Sequence, residues 1–461
     1  MNLRILRIEL RRSVAPWAGA VVLAAALAFL YLVSGPWWKG TAQWTAQWTS
    51  MALWTRYPLI FLWPLAVGLG ALQGLRDHRS KMSELLTSTP RPARHRAAAL
   101  AGTTAFTLVS AFALLVLLGA VRVLAAGAPY THLGWLPISL VGALALTAGA
   151  VLGMGVARTV PSALTPPALA VGAFLLTNLL RQTSDEALPA SRAPHRLSLL
   201  SPAVAEVRES LLTLSVPVHL GQTLWLLGMA ATGLALLAVA TPRARLLALT
   251  PLLAGGAAAL LLFPADPRHT YVVDRAASAQ VCEGPVCVTK ARQARLAELE
   301  APGGEALRLL RDVLGDRAPV ALHETTAPRA VGATPERSRD LLLVDFDDGM
   351  IASAEGDERL TRALVAQGIA PVCRPRSDTE SGTLEEAAAQ SIGAAWILGE
   401  LRPLDGTMHE ASHQAAVAGP VWEKFMALPR AEQRRRLVAM HAAAVSCSGD
   451  VLAALTDGAA P

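Results

Sequence analysis

The chain has 461 residues, of which 53% are hydrophobic and 16% charged, against roughly 45–50% and about 25% in ordinary soluble domains. The apolar excess lies before Pro264 and most of the charge after it, which excludes one uniform soluble fold. The net charge of +6 sits largely in short loops between apolar runs, a placement that suits anionic lipid headgroups of a bilayer rather than nucleic acid. The reading is an α-helical polytopic membrane domain, residues 1–264, followed by a soluble α+β domain, residues 265–461.

A hydrocarbon core of ~30 Å takes about 20 helical residues. Runs of that length fall at 14–34, 56–75, 98–121, 135–157, 162–180, 220–240 and 246–263, giving about seven spans. The leader Met1–Ser13 carries Arg4, Arg7, Arg11 and Arg12, but the apolar run behind it is span-length, too long for a signal h-region. Trp37, Trp38, Trp44, Trp48 and Trp54 crowd the loop before the second span and suit an aromatic interfacial belt. Arg56, Arg122 and Arg181 fall at span ends, where long side chains snorkel to water. Pro166-Pro167 delays the fifth span, and Pro251 with Gly255-Gly256 interrupts the seventh. Spans three to seven carry no Asp or Glu, which argues against a transporter coupled to protons or sodium.

Loop charge gives the orientation. With the N-terminus inside, thirteen basic residues face the cytoplasm, including Arg76, Arg79, Lys81, Arg91, Arg94 and Arg96 between spans two and three, and six face the other side. That bias predicts N-in, and seven spans then leave the C-terminus out. Cysteine placement agrees: Cys282, Cys287, Cys373 and Cys447 all lie in the C-terminal part, and disulfides persist in extracytoplasmic space. Cys282 and Cys287 enclose Glu283-Gly284-Pro285-Val286 and suit a local disulfide loop, although four cysteines allow three pairings. The same region predicts a helix over 291–314 broken at Pro302-Gly303-Gly304, strands at 341–346 and 369–373, and helices over 358–367, 383–398, 421–428 and 430–445.

The loop after the second span runs from Arg76 to Arg96. Ser80–Leu86 reads as a short amphipathic helix with Glu84 as a polar contact and Leu85-Leu86 for packing, closed by the turn at Pro90-Arg91-Pro92. Such a helix on a membrane surface can dock into a partner's groove. This segment resembles the corresponding loop of ABC-2 type transporter permeases, in which an acidic residue, a leucine pair and a Pro-Arg turn follow the second span. The basic amphipathic leader Leu3–Arg12, a six-span core and the long connection Gln182–His219 between spans five and six agree with the same family. The resemblance covers residues 1–240 and departs from the six-span plan in the seventh span and the C-terminal domain. It implies that Arg76, Glu84, Leu85 and Pro90 form a coupling helix that contacts a separate ABC ATPase subunit. It also implies a homodimer or a second permease as partner, alternating access, and ATP consumed by the partner chain.

No Gly-x-x-x-x-Gly-Lys-Ser/Thr stretch occurs and no cofactor is expected on this chain itself. Two rival readings remain open at this level. One is a membrane-anchored zinc metallopeptidase: His409-Glu410-Ala411-Ser412-His413 places two histidines at i and i+4, with Glu410 as general base and Glu432 as a third ligand. Against it, Gly406 and Gln414 flank the motif where an apolar helix is usual, and an inert or binding domain is the favoured alternative. The other is a sensor or scaffold whose domain binds a ligand. His441 reads as a core or surface histidine, and Asp345, Asp347 and Asp348 as a solvated strand end rather than a cation site.

Overall fold

The computed structural model describes residues 15–32, 47–79, 92–125, 130–180, 194–203, 211–326, 336–346, 348–373, 382–407 and 409–456. The N-terminal part is built from α1 (Ala15–Leu32), α2 (Trp48–Arg56), α3 (Leu59–Gly74), α4 (Arg76–Arg79), α5 (Ala93–Ala125), α6 (Trp135–Thr159) and α7 (Thr165–Leu180). It continues with α8 (His195–Ser198), β1 (Leu212–Leu214), α9 (Val216–Ala238), α10 (Pro242–Leu247) and α11 (Thr250–Leu262). Among the described residues five helices are long and apolar enough to cross a membrane, α10 and α11 counting as one over Pro242–Leu262. A sixth forms if α2 and α3, bent by 50° at Tyr57-Pro58, are one span. Proline has no N–H to continue the ladder and disfavours helix in the residue before it, which accounts for that bend. The remaining apolar helix, α7, has 16 residues, with Pro166 and Pro167 in its first turn.

The second element therefore begins earlier than the expected 56–75. Every residue of α2 is buried, so Trp48 and Trp54 are packed inside rather than forming an interfacial belt. Trp48 stacks on Trp135 of α6 with ring centroids 5.4 Å apart. Trp37, Trp38 and Trp44 lie outside the described residues.

Helix α6 is the centre of the bundle, packing on α3 along one side and α9 along the other. Hydrocarbon tails are as apolar as leucine, so helices in a bilayer gain from close van der Waals approach rather than from escape from water. Glycine supplies that approach here. A Cβ on Gly153 would lie 2.1 Å from the Val67 carbonyl oxygen of α3, and one on Gly70 would lie 2.1 Å from that of Ala150. On the other side Gly233 of α9 meets the Val151 backbone and Gly155 meets that of Gly233. The pattern repeats between α9 and α11, where Gly228 meets the Pro251 carbonyl and Gly255 that of Leu224. Pro251 sits in the first turn of α11, where its missing N–H costs nothing, and Leu252 N–H donates to Thr232 Oγ1 at 3.0 Å. The features that interrupt the seventh apolar run in sequence are thus its contact surface with α9.

The C-terminal domain carries β2 (Tyr271–Val273), β3 (Gln280–Glu283), β4 (Val286–Thr289), α12 (Leu296–Leu314), β5 (Ala321–Glu324) and β6 (Leu341–Val344). After them come α13 (Gly349–Ala352), α14 (Asp357–Ile369), α15 (Leu384–Leu398), α16 (Ala411–Met426), α17 (Arg430–Ser446) and α18 (Ala453–Thr456). Strands β3, β4, β5 and β6 form one sheet in that order; β3 and β4 are antiparallel and the other pairs parallel. Leu299, Leu307 and Leu310 of α12 and Leu360, Leu364 and Ile369 of α14 pack with Val286, Val288, Leu322, Leu342 and Val344 of the sheet.

Contrary to the expected break, α12 runs straight through Pro302-Gly303-Gly304. Gly303 faces the sheet, where a Cβ would lie 3.1 Å from Val286 Cγ2 and 3.2 Å from Leu322 Cδ1, so the glycine lets the helix settle on the strands. The stretch 369–373 is not a strand: α14 ends at Ile369, and Pro371 follows within two residues. Thr383 caps α15 by a reciprocal box, accepting from Glu386 N–H at 3.2 Å while Glu386 Oε2 accepts from Thr383 N–H at 2.9 Å, an arrangement worth about 1 kcal/mol.

Both pairs of cysteines are bonded. Cys282 and Cys287 sit directly opposite one another in the β3–β4 hairpin, in keeping with their spacing, and Cys373 joins Cys447.

Candidate functional site

Two regions of the bundle concentrate polar groups. The first is the end of α3 remote from the C-terminal domain. Gly74 closes α3 against Met154 of α6, where a Cβ would lie 2.4 Å from the carbonyl oxygen, and the chain turns at Leu75 into α4. Arg76 opens α4 and is partly buried. Glu84, Leu85 and Pro90, the other residues of the expected coupling helix, lie outside the described residues.

The second region is the opposite end, where the bundle meets the C-terminal domain. Strand β1, just before α9, pairs antiparallel with β2, just after α11. Leu214 of β1 packs with Ala52, Leu53, Ile138 and Val218, and Tyr271 of β2 rests against that group. Gln47 Nε2 donates to the Ala291 carbonyl at 3.4 Å. Leu211, Ala277 and Ala291 form a small apolar contact beside Tyr130. The carboxyl end of β4 therefore abuts the helices through Thr289–Ala291.

One histidine braces the bundle loops at this junction and a second bonds across it. Gly134 N–H donates to His132 Nδ1 at 3.0 Å, so Nε2 carries the ring proton and donates to Thr49 Oγ1 at 3.1 Å. Burial holds the His132 imidazole below its ordinary 6.5, with the Asp274 carboxylate pulling the other way. His195 Nε2 bonds Thr270 Oγ1 at 2.9 Å, and burial likewise lowers it, opposed by Asp266. Burial raises the Tyr130 phenol, reinforced by Asp274, and Lys290 Nζ lies 5.9 Å from the centroid of its ring.

Beneath the junction lies Arg56. Sequence position alone puts it at a span end with its charge in water; the structure buries it completely. Helix α2 precedes the bend at Tyr57-Pro58 and is buried throughout, so Arg56, its last residue, lies in the interior rather than at a span end. Its Nη2 donates to the Pro202 carbonyl at 2.8 Å and to Gln222 Oε1 at 2.9 Å. Gln222 Nε2 in turn donates to the Leu199 and Ser201 carbonyls at 3.1 and 3.2 Å. Three carbonyls of the turn 199–202 are thus fastened to α2 and α9 through two side chains. The sequence signal for this site is a polar pair, Arg56 and Gln222, within otherwise apolar runs.

The His-Glu-x-x-His stretch has a different geometry from the one a zinc site needs. Helix α16 begins at Ala411 with Glu410 as its N-cap residue, so His409 lies before the helix and the two histidines share no face. His413 and Glu410 are exposed. Glu432 is held by Arg435 and by Arg436 Nε at 2.9 Å, bonds that keep its carboxyl below the usual range, Arg436 foremost. Among the described residues no three His, Cys, Asp or Glu side chains come together as a metal site. The flanking Gln414 organises this segment: its amide donates to Leu404 O, Thr407 Oγ1 and His409 O, and its carbonyl accepts from Leu404 N–H. His441 is buried against the Ile369 carbonyl, with Nδ1 at 3.2 Å. Asp348 caps α13 by accepting from Met350 N–H at 3.0 Å, and Asp347 lies outside the described residues.

Comparison of the chain with protein-family models, curated proteins and solved structures finds no match to any of them.

Proposed function

We propose that this chain is the membrane-spanning permease subunit of an ABC-type exporter, driven by a separate ATPase that docks on the loop 76–96. In this reading the chain crosses the bilayer seven times, with α2 and α3 as one bent span and α7 as a short one. The N-terminus then lies in the cytoplasm and the disulfide-bonded domain outside. The gathering of 47–49, 130–135, 195–202, 211–218 and 264–291 at one end of the bundle supports that count, since alternating crossings bring those loops to one side.

The observation that carries the proposal is the continuity of backbone contact from the span that leads into the docking loop to the far domain. Helix α3 leads into Arg76 and is seated on α6 through Gly70 and Gly153; α6 is seated on α9 through Gly155 and Gly233. Helix α9 is joined by β1–β2 to the C-terminal domain. A displacement of the loop by ATPase closure therefore reaches the opposite end through helices whose backbones touch at these glycines.

The test is capture of the full chain from its native membranes with an affinity tag. An ATP-hydrolysing chain should co-purify, and Glu84→Ala combined with Leu85→Ala should reduce its recovery at least tenfold. Recovery of the membrane chain at normal levels with no such partner would sink the proposal.

A further inference from the structure

The guanidinium of Arg56 is 0% exposed, and among the described residues neither Nε nor Nη1 has a hydrogen-bond partner. Only Nη2 is engaged, by two neutral oxygens. Burying a charge without a counter-charge costs several kcal/mol, and an arginine in a membrane domain normally pairs or marks a functional site. Two more polar groups on the surrounding helices are also unmatched. Among the described residues, Ser139 Oγ on α6 and His219 Nδ1 on α9 are buried without partners. Both flank Arg56: a Cβ on Gly142, one turn after Ser139, would lie 3.3 Å from Arg56 Cγ, and Gln222, one turn after His219, accepts from Nη2. Residues three apart on a helix share a face, so both groups lie on helix faces turned to the arginine.

We propose that Arg56, Ser139 and His219 form a binding site for a single phosphate or carboxylate group, closed over by the turn 199–202. The geometry selects an oxyanion. Among the described residues the guanidinium is a cation without a counter-charge, and its free Nε–H and Nη1–H, which leave different edges of the group, each offer a charge-assisted hydrogen bond to an anionic oxygen; a serine hydroxyl adds a further donor. Fastening of the Leu199, Ser201 and Pro202 carbonyls by Gln222 and Arg56 makes the turn the cover of the site, and its release is the way in. This site is independent of the transport reading, because it is a property of the bundle whatever the loop 76–96 contacts.

The experiment is thermal unfolding of the full chain in a neutral detergent, titrated separately with phosphatidylglycerol, phosphatidylcholine and inorganic phosphate. An anion that binds the folded state raises Tm saturably, by ~3 °C or more at concentrations well above Kd. Phosphatidylglycerol raising Tm where phosphatidylcholine and inorganic phosphate do not identifies a lipid headgroup. A rise with inorganic phosphate as well identifies a free oxyanion. Either supports the site provided Arg56→Met abolishes the rise. Ser139→Ala, a smaller change, should leave the rise intact but move its half-saturation about tenfold higher, the loss of one hydrogen bond to a charged group. If neither anion shifts Tm, if phosphatidylcholine raises it as phosphatidylglycerol does, or if either Arg56→Met or Ser139→Ala titrates like the parent chain, the proposal is wrong.

Discussion

Paired substitution of Cys373 and Cys447 by alanine separates two sources of stability in the C-terminal domain. The bond joins residues 74 apart in sequence, whereas Cys282–Cys287 joins residues 5 apart. If a disulfide acts by restricting the unfolded chain, its contribution grows with the logarithm of the loop it closes. The chain-entropy relation then gives about 4.5 kcal/mol for the long loop and about 2 kcal/mol for the short one. With an m-value of about 2 kcal/mol/M in urea, the midpoint should fall by about 2 M for the first pair and about 1 M for the second. Pulse proteolysis of the full chain in detergent, following the C-terminal domain by immunoblot, reads both midpoints. Cys447 also occupies the left-handed region, at φ 49° and ψ 38°, as the residue that ends α17. Glycine in place of alanine there should therefore return about 1 kcal/mol. Equal shifts for the two pairs, or a larger one for Cys282–Cys287, would refute the loop argument and locate the effect in native contacts.

The remaining predictions concern packing, pH and a buried amide. Gly153→Leu puts a side chain where even a Cβ meets the Val67 carbonyl at 2.1 Å, and should abolish monodisperse recovery in size-exclusion chromatography. Gly172→Leu, at a position where an added Cβ would meet no atom within 4 Å, should be recovered normally. His132 and His195 titrate below 6.5 in the docked state, so the undocked state binds protons first. Docking is therefore fully stable above 6.5 and weakens as pH falls through the window beneath it. Protonation of His132 Nδ1 also turns a donor against Gly134 N–H. Hydrogen-exchange protection factors over residues 271–291, which allow for the slower intrinsic exchange at low pH, should fall between pH 7.5 and pH 5, and His132→Asn with His195→Asn should flatten that dependence. Gln414→Leu strands the buried N–H and C=O of Leu404 and should cost about 1–3 kcal/mol of domain stability, measured by the same proteolysis.

What sequence shows of this molecule follows the length scale of each signal. Long apolar runs such as 135–157 and capped helices such as 383–398 are legible because many residues repeat one period. Strands β3, β4 and β5 have four residues each, too few for alternation to register, and β4 is buried on both faces, which removes alternation altogether. The glycines at 255 and 256 and the proline at 302 carry two meanings. In an isolated helix they weaken it, but beside a close neighbour they permit contact, and only the neighbour decides. The burial of Arg56 is hidden for a related reason. Its distance from the water depends on the bend at Pro58 and on α2 being helical, and neither follows from hydropathy. Of the four residues expected to form a coupling helix, Arg76 alone falls within the described structure, at the foot of α3.

The β1–β2 ribbon closes the α9–α11 hairpin at the end where the chain would otherwise splay. Two helices clamped at their shared glycine contacts and again at their tips form a stiff beam, and the C-terminal domain is mounted on its end. Torque on that domain, from a bound object or a neighbouring molecule, is delivered to α9 with the leverage of the whole beam. The same beam works in reverse: a tilt of a few degrees in α9 sweeps the domain through an arc proportional to its distance from the pivot.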